Sequence, residues 1–291
     1  MMDWKERRQL AGRAAMEAER MRLFANISRT DPIDPFETAI KCGCEVRFMS
    51  LSSLEGIYSP DPGPAIILGS ERPAGRRTYT CAHELGHHVF NHGMRVEDIN
   101  EKKKTKNKSP EEFLADLFAA FMLMSQASVL CTLKDRGWLS SNFRAEQIYR
   151  LANFFGVGYG TIIKHLELSL QLINSNCAEE LLKTQPKQIK VHFGGSANSE
   201  VVLVDYHWRH KAVDLEVGDT LILPLLSKID LGIQLEYIAA NKNYLIFKAI
   251  KPGYSRAYCD DNQWAVNIRI SRKNYEGLVQ YRFLEESEIV T

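Results

Sequence analysis

The chain has 291 residues, 45% hydrophobic and 25% charged, which is the balance of a folded globular protein long enough for two domains. Its 37 basic and 36 acidic residues nearly cancel, which excludes a global field for nucleic acid or an acidic membrane and makes any such binding local. There is no uninterrupted run of about 18 apolar residues to cross a bilayer, no apolar signal core in the first 25 residues, and no paired CxxC spacing among the six cysteines; a soluble protein of a reducing cytoplasm, with no membrane partner, is expected.

Taken in chain order, residues 3–26 are predicted to form an amphipathic helix, with Leu10, Ala14, Ala18, Met21 and Phe24 at helical spacing among charges. Prolines then precede a short helix from Phe36 that Gly43 closes. Brief apolar runs at 45–49, 56–59 and 65–68, bounded by Pro and Gly, read as a small sheet. Helical pattern returns from Thr78 to about Asn91. EKKKTKNKS, residues 101–109, has five lysines and nothing to bury, so it reads as a solvated connection; the rival reading is a basic lid or nucleic-acid contact.

Residues 110–125 form an apolar helix with Pro110 in its first turn and Glu111 and Glu112 at its positive end. Two further helices at 143–170, joined at Gly156, resemble a helix-turn-helix. Such pairs more often close a domain than read DNA, and the second helix offers only Lys164 and His165 as polar readers. From Pro186 onward β-type runs such as DTLILPLL and WAVNIRIS, separated by turn residues, predict a second, β-rich domain.

The chemistry concentrates in HELGH, residues 83–87. Positions four apart share a helix face, so His83 and His87 aim at one ion while Glu84 faces the same cleft. An ion held by three protein ligands and one water is catalytic rather than structural, and it lowers the pKa of that water toward about 7. Glu84 is then the general base for attack on a peptide carbonyl. Gly86 costs a helix about 1 kcal/mol against Ala, which a purely structural motif would have to explain.

For the third ligand the helix from Pro110 offers Glu111 and Glu112. Glu112, Ala115, Asp116 and Ala119 fall on one stripe whose small residues permit a close helix approach, which selects Glu112. Asp116 is the acidic residue inside FLADLFAAFMLM, and orienting a ligand histidine would give it a partner; the plainer reading is a partly exposed helix residue. His88 and His92 lack the phase to share the ion with both His83 and His87, and are expected at the surface or in support of the ligands. Cys81 reads as a core thiol, with inhibition of the metal site as the alternative. An oxyanion donor is open among Tyr58, Tyr79 and His88.

TYTCAHELGHHVFNHG together with EEFLADLFAAFMLM resembles the ImmA/IrrE family of bacterial metallo-endopeptidases. DPIDPFETAIKCGCEV, GIYS and AIILGSERPAGRRTYT follow that family's order of elements, so the likeness covers about residues 25–170. It implies a third ligand at Glu112, and it implies cleavage of a helix-turn-helix repressor encoded nearby, releasing stress, DNA-damage, mobile-element or antiphage genes. The family's pattern often continues into a proline where this chain has Ser125.

The expected fold is α+β: a zincin-like metallopeptidase domain over 1–175, including the pair at 143–170, then a β-rich domain over 186–291 with a sensory or regulatory role. The expected cofactor is Zn2+, with Mn2+ served by the same ligand types. Single-stranded DNA held by Lys102–Lys108 is the candidate activator. Rival functions are a DNA-binding regulator with a vestigial metal site and the protease of a toxin–antitoxin pair.

Overall fold

The computed structural model describes residues 2–98, 109–138, 142–196, 199–230, 232–261 and 263–284. The fold is mixed α+β, and the chain divides into two compact units. The first holds Met1–Cys131, Phe155–Val157 and Glu276–Gln280; the second holds Thr132–Phe154, Gly158–Tyr275 and Tyr281–Thr291. This cut differs from the expected boundary, because it groups the helices after Thr132 with the C-terminal strands.

In the first unit, helix α1 (Trp4–Phe24) starts at Asp3, whose carboxylate accepts from the Glu6 N–H, and it buries Ala14, Ala18 and Arg22. Phe24, expected on the apolar face, is exposed. The buried polar residue of that helix is Arg22, whose guanidinium donates to the carbonyls of Met122 (2.8 Å), Ser28 (3.0 Å) and Asp31. Those are carbonyls at a helix end and in the turn after α1, so the buried charge is compensated where backbone acceptors would otherwise be orphaned.

Helix α2 (Pro35–Lys41) is capped by Asp34 and ends before Gly43 at φ +85°, a left-handed conformation that favours glycine. Strands β1 (Glu45–Met49), β2 (Leu54–Ser59) and β3 (Ala65–Gly69) follow, then helix α3 (Ala74–Val89), which starts four residues before the expected Thr78. Strand β4 (Arg95–Asp98) pairs with β2. Helix α4 (Pro110–Leu123) begins at Ser109, whose hydroxyl accepts from the Glu112 N–H.

Helix α5 (Gln126–Asp135) comes next, an element absent from the expectations. Read across the bend at Met124, Pro110–Asp135 is long and apolar enough to cross a membrane, yet most of it is buried within the protein.

The remaining elements are α6 (Ala145–Phe155), α7 (Tyr159–Lys164) running into a π-turn, α8 (Ser175–Lys183) and α9 (Pro186–His192). They precede strands β5 (Val201–Leu203), β6 (Val213–Glu216), β7 (Thr220–Pro224), β8 (Lys228–Ile229), β9 (Leu235–Ala240), β10 (Tyr244–Ala249), β11 (Gly253–Cys259), β12 (Trp264–Ser271) and β13 (Gly277–Leu278). The β regime expected from Pro186 therefore starts with a helix. Pro186 is the first residue of that helix, where its missing N–H costs nothing, and Gln185 and Gln188 close a capping box around it.

The first unit's sheet has the order β13-β1-β3-β2-β4, with β1 and β3 parallel. Val46, Phe48, Ile66 and Leu68 are almost fully buried, and each such large side chain contributes about 1.5–3 kcal/mol. In the second unit the sheets are β5-β7-β10-β9 and β6-β12-β11-β8. Strand β12 alternates, burying Trp264, Val266, Ile268 and Ile270, while β7 is buried on both faces.

Candidate metal centre

Helix α3 carries the HELGH segment on a face that is almost wholly buried: His83, Glu84 and His87 are 2%, 0% and 1% exposed. Helix α4 lies against it. A Cβ built on Gly86 would sit 3.1 Å from Phe118 Cδ1 and 3.2 Å from Ala115 Cα, so the glycine that weakens the helix is what lets the two axes come this close. Ala115 and Ala119 present small side chains, both fully buried.

That approach brings three donor atoms together. His83 Nε2 lies 3.1 Å from His87 Nε2, 3.3 Å from Glu112 Oε2, and His87 Nε2 lies 3.4 Å from Glu112 Oε1. Glu112 occupies the third position of α4, where the first-turn N–H groups and the helix dipole favour a carboxylate, and its half-exposed side chain reaches over both imidazoles.

The back of each imidazole is also engaged. His83 Nδ1 lies 3.1 Å from Asp116 Oδ1, so the carboxylate stands where it can accept from Nδ1 when Nε2 faces an ion. Tyr79 of α3 donates to the Asp116 carbonyl at 3.0 Å, a further tie between the helices. His87 Nδ1 is 2.9 Å from Nδ1 of His92.

Glu84 packs under β2. A Cβ on Gly56 would fall 2.5 Å from Thr80 Cγ2 and 3.0 Å from Glu84 Oε1, so only glycine lets this strand lie on the carboxylate. The Tyr58 hydroxyl and His88 Nδ1 are 2.9 Å apart, so two of the oxyanion-donor candidates are paired with each other, and the third, Tyr79, is committed to Asp116.

Electrostatics match the donor set. Burial, reinforced by the neighbouring His83, pushes the His87 pKa down to about 3, and burial lowers His88 and His92 as well. The hydrogen bond to His83 holds Glu112 below the usual carboxylate range. Near neutral pH the cluster therefore offers a neutral imidazole at His87 and a carboxylate at Glu112 beside the His83 ring, and two imidazoles with one carboxylate are ligands that suit a divalent cation. The gaps of 3.1, 3.3 and 3.4 Å agree with the edge, ~3.3 Å, of a tetrahedron whose ligands stand ~2.0–2.1 Å from zinc. His83, His87 and Glu112 fit such an ion.

Other candidates fall elsewhere. Glu111 pairs with Arg95 of β4 rather than with the imidazoles. Cys81 is fully buried on α3, as a core thiol would be, and none of the six cysteines forms a disulfide. Lys102–Lys108 lie outside the described residues.

Of the two polar readers proposed for α7, His165 is 3% exposed and only Lys164 reaches solvent. On α6, Tyr149 donates to the Val201 carbonyl and Asn153 accepts from the Leu203 N–H, so that helix spends polar groups on β5. Sequence reasoning missed Gly56, and it left His92 open between the surface and a supporting role without placing it against His87. The signal for the second was present in Asn91, a residue that tolerates a left-handed turn after a helix.

Residues 41–167, from the last residue of α2 through α7, match the family model described as Peptidase_M78, IrrE N-terminal-like domain. The match is narrower than residues 25–170, over which the likeness was expected. No curated protein matches the chain.

Proposed function

We propose, from the premise that residues 41–167 are an IrrE N-terminal-like domain and hence a metal-dependent peptidase of the ImmA/IrrE kind, that the chain is a cytoplasmic zinc endopeptidase that cleaves one helix-turn-helix repressor. The observation that carries the catalytic reading is the convergence of His83, His87 and Glu112 around one point beside the buried Glu84. A vestigial site has no use for a general base buried next to a ligand histidine on the same helix.

His83, His87 and Glu112 would hold the ion, and Asp116 orients His83. When bound, the ion supplies a Lewis acid that brings the pKa of water from 15.7 toward about 7. Glu84 takes the proton from the attacking water at its carboxylate and returns it to the leaving amide nitrogen, so the bond broken is C–N and the bond made is C–O. Helix α4 supports both steps by fixing Glu112, because its carboxylate sits at a capped first turn rather than on a loop.

The repressor as substrate rests on the family likeness, and a cytoplasmic location on six cysteines outside any disulfide and the near-neutral charge. Zinc is preferred over manganese because two of the three donors are imidazole nitrogens. The lysines at 102–108 are the proposed contact for single-stranded DNA as activator.

The test is co-expression with the repressor encoded beside the gene, using wild type and Glu84→Gln. Cleavage by wild type, lost by at least ~100-fold in Glu84→Gln with ion binding unchanged, is the expected result. Equal cleavage by both, or none by ion-loaded wild type of any candidate repressor, overturns the reading.

A further inference from the structure

The end of α3 is built to place one more side chain on the cluster. The His92 N–H donates to the His87 carbonyl at 3.0 Å and the Asn91 N–H to the His88 carbonyl at 3.2 Å, with Asn91 at φ +55°. These are the crossed bonds of a Schellman motif, in which the residue after the left-handed one folds back over the residue five before it. Here those two residues are His92 and His87. The side-chain contact that usually accompanies the motif is apolar; in this chain it is imidazole on imidazole, Nδ1 to Nδ1 at 2.9 Å, with ring centroids 5.1 Å apart. His92 is itself held by stacking on Phe90, 5.6 Å between centroids and 24° between planes, and Arg13 of α1 lies over the other partner, 5.0 Å from the Phe90 centroid.

We infer that His92 is a positioning residue that fixes the ring orientation and tautomer of His87 and thereby raises the affinity of the site for its ion. This rests on the reading of His83, His87 and Glu112 as ligands. With His87 Nε2 directed at the ion, its Nδ1 carries hydrogen and needs an acceptor; His92 Nδ1 is that acceptor, so His92 bears its own proton on Nε2. The two ligand histidines are thus supported differently, His83 by the carboxylate of Asp116 and His87 by a neutral imidazole. Acceptors behind ligand histidines typically contribute about 10- to 100-fold in metal affinity, and a charged acceptor is stronger than a neutral one. The His92 contribution belongs at the lower end of that range.

The experiment measures Zn2+ affinity of the full chain by competition with a chromophoric chelator, for wild type, His92→Ala, His92→Asn and His83→Ala. His92 is half-exposed beyond the helix end, so its replacement leaves the core in place; circular dichroism and the Tm of the ion-free protein check this. The expected result is wild type binding one Zn2+, His83→Ala binding none, His92→Ala weakened about tenfold, and His92→Asn, whose side-chain carbonyl can accept the same hydrogen, recovering most of the loss. His92→Ala within about twofold of wild type, with His83→Ala still inactive in binding, overturns the positioning role alone. Wild type that binds no Zn2+ or Mn2+ overturns the ligand reading on which it rests.

Discussion

Helix α3 at its contact with α4 and strand β7 both bury most of their side chains but bury different things. Helix α3 buries Arg77, His83, Glu84 and His87 among its apolar residues, whereas the five buried residues of β7 include a single polar one, Thr220. Burying titratable groups is costly unless each meets a partner, so the helix pair is organised by hydrogen bonds, a helix dipole and two helix ends, and its spacing is set by Gly86 against Ala115. The strands need only shape and apolarity, and such cores tolerate volume-conserving change. A polar interior of this kind is therefore sensitive to displacements that an apolar one absorbs.

The largest effect that separates the regions should come from Gly86→Val. The added carbons meet Phe118 and the Ala115 backbone, which cannot retreat, so overpacking costs about 1–3 kcal/mol and moves Glu112 off the imidazoles. Zn2+ binding should fall below detection by calorimetry while the circular dichroism spectrum stays that of a folded protein. Unaltered Zn2+ affinity in this variant would show that the helix spacing does not control the site.

Next in size is a pH effect in the second unit, where Asp219 is the counterexample of a buried carboxylate. Burial pushes its pKa up to about 6 from 3.8, although its oxygens accept from the N–H groups of Glu216 (2.8 Å) and Glu200 (3.1 Å). Between pH 4 and 6 the folded chain keeps a proton that the unfolded chain has lost, so stability falls as pH rises through this window and levels off above it. A shift of about two units corresponds to roughly 3 kcal/mol at most. Urea denaturation of wild type and Asp219→Asn across pH 4–7 should show this slope in wild type and lose it in the variant; equal slopes would refute the assignment.

The smallest of the three is Asp116→Ala, which removes the carboxylate behind His83 but leaves α4 in place. Zn2+ affinity should fall about 10- to 100-fold, or about 1.4–2.7 kcal/mol, and by more than in His92→Ala. The reverse order would mean that the charged contact is not the stronger support.

Much of this arrangement was legible in the chain. HELGH gives its helical phase directly, and the stripe Glu112, Ala115, Asp116, Ala119 selects one of two adjacent glutamates; Glu111, off that stripe, pairs with Arg95. Phe24 and the Pro186 helix were misread because a single turn of helix or one exposed aromatic is decided by what packs beside it. Helix α5 was passed over because its apolar pattern continues that of α4.

What the sequence by itself determined is the local geometry: which side chains share a face, where proline starts a helix and where Gly43 or Asn91 ends one, because these follow from backbone sterics over a few residues. What only the tertiary structure decided are the contacts between distant segments. These are β2 laid on Glu84 at Gly56, β13 returned to the edge of β1 from more than 200 residues away, and the grouping of α6 and α7 with the later strands. No local rule fixes them, since each depends on which surfaces remain to be buried once the elements have formed.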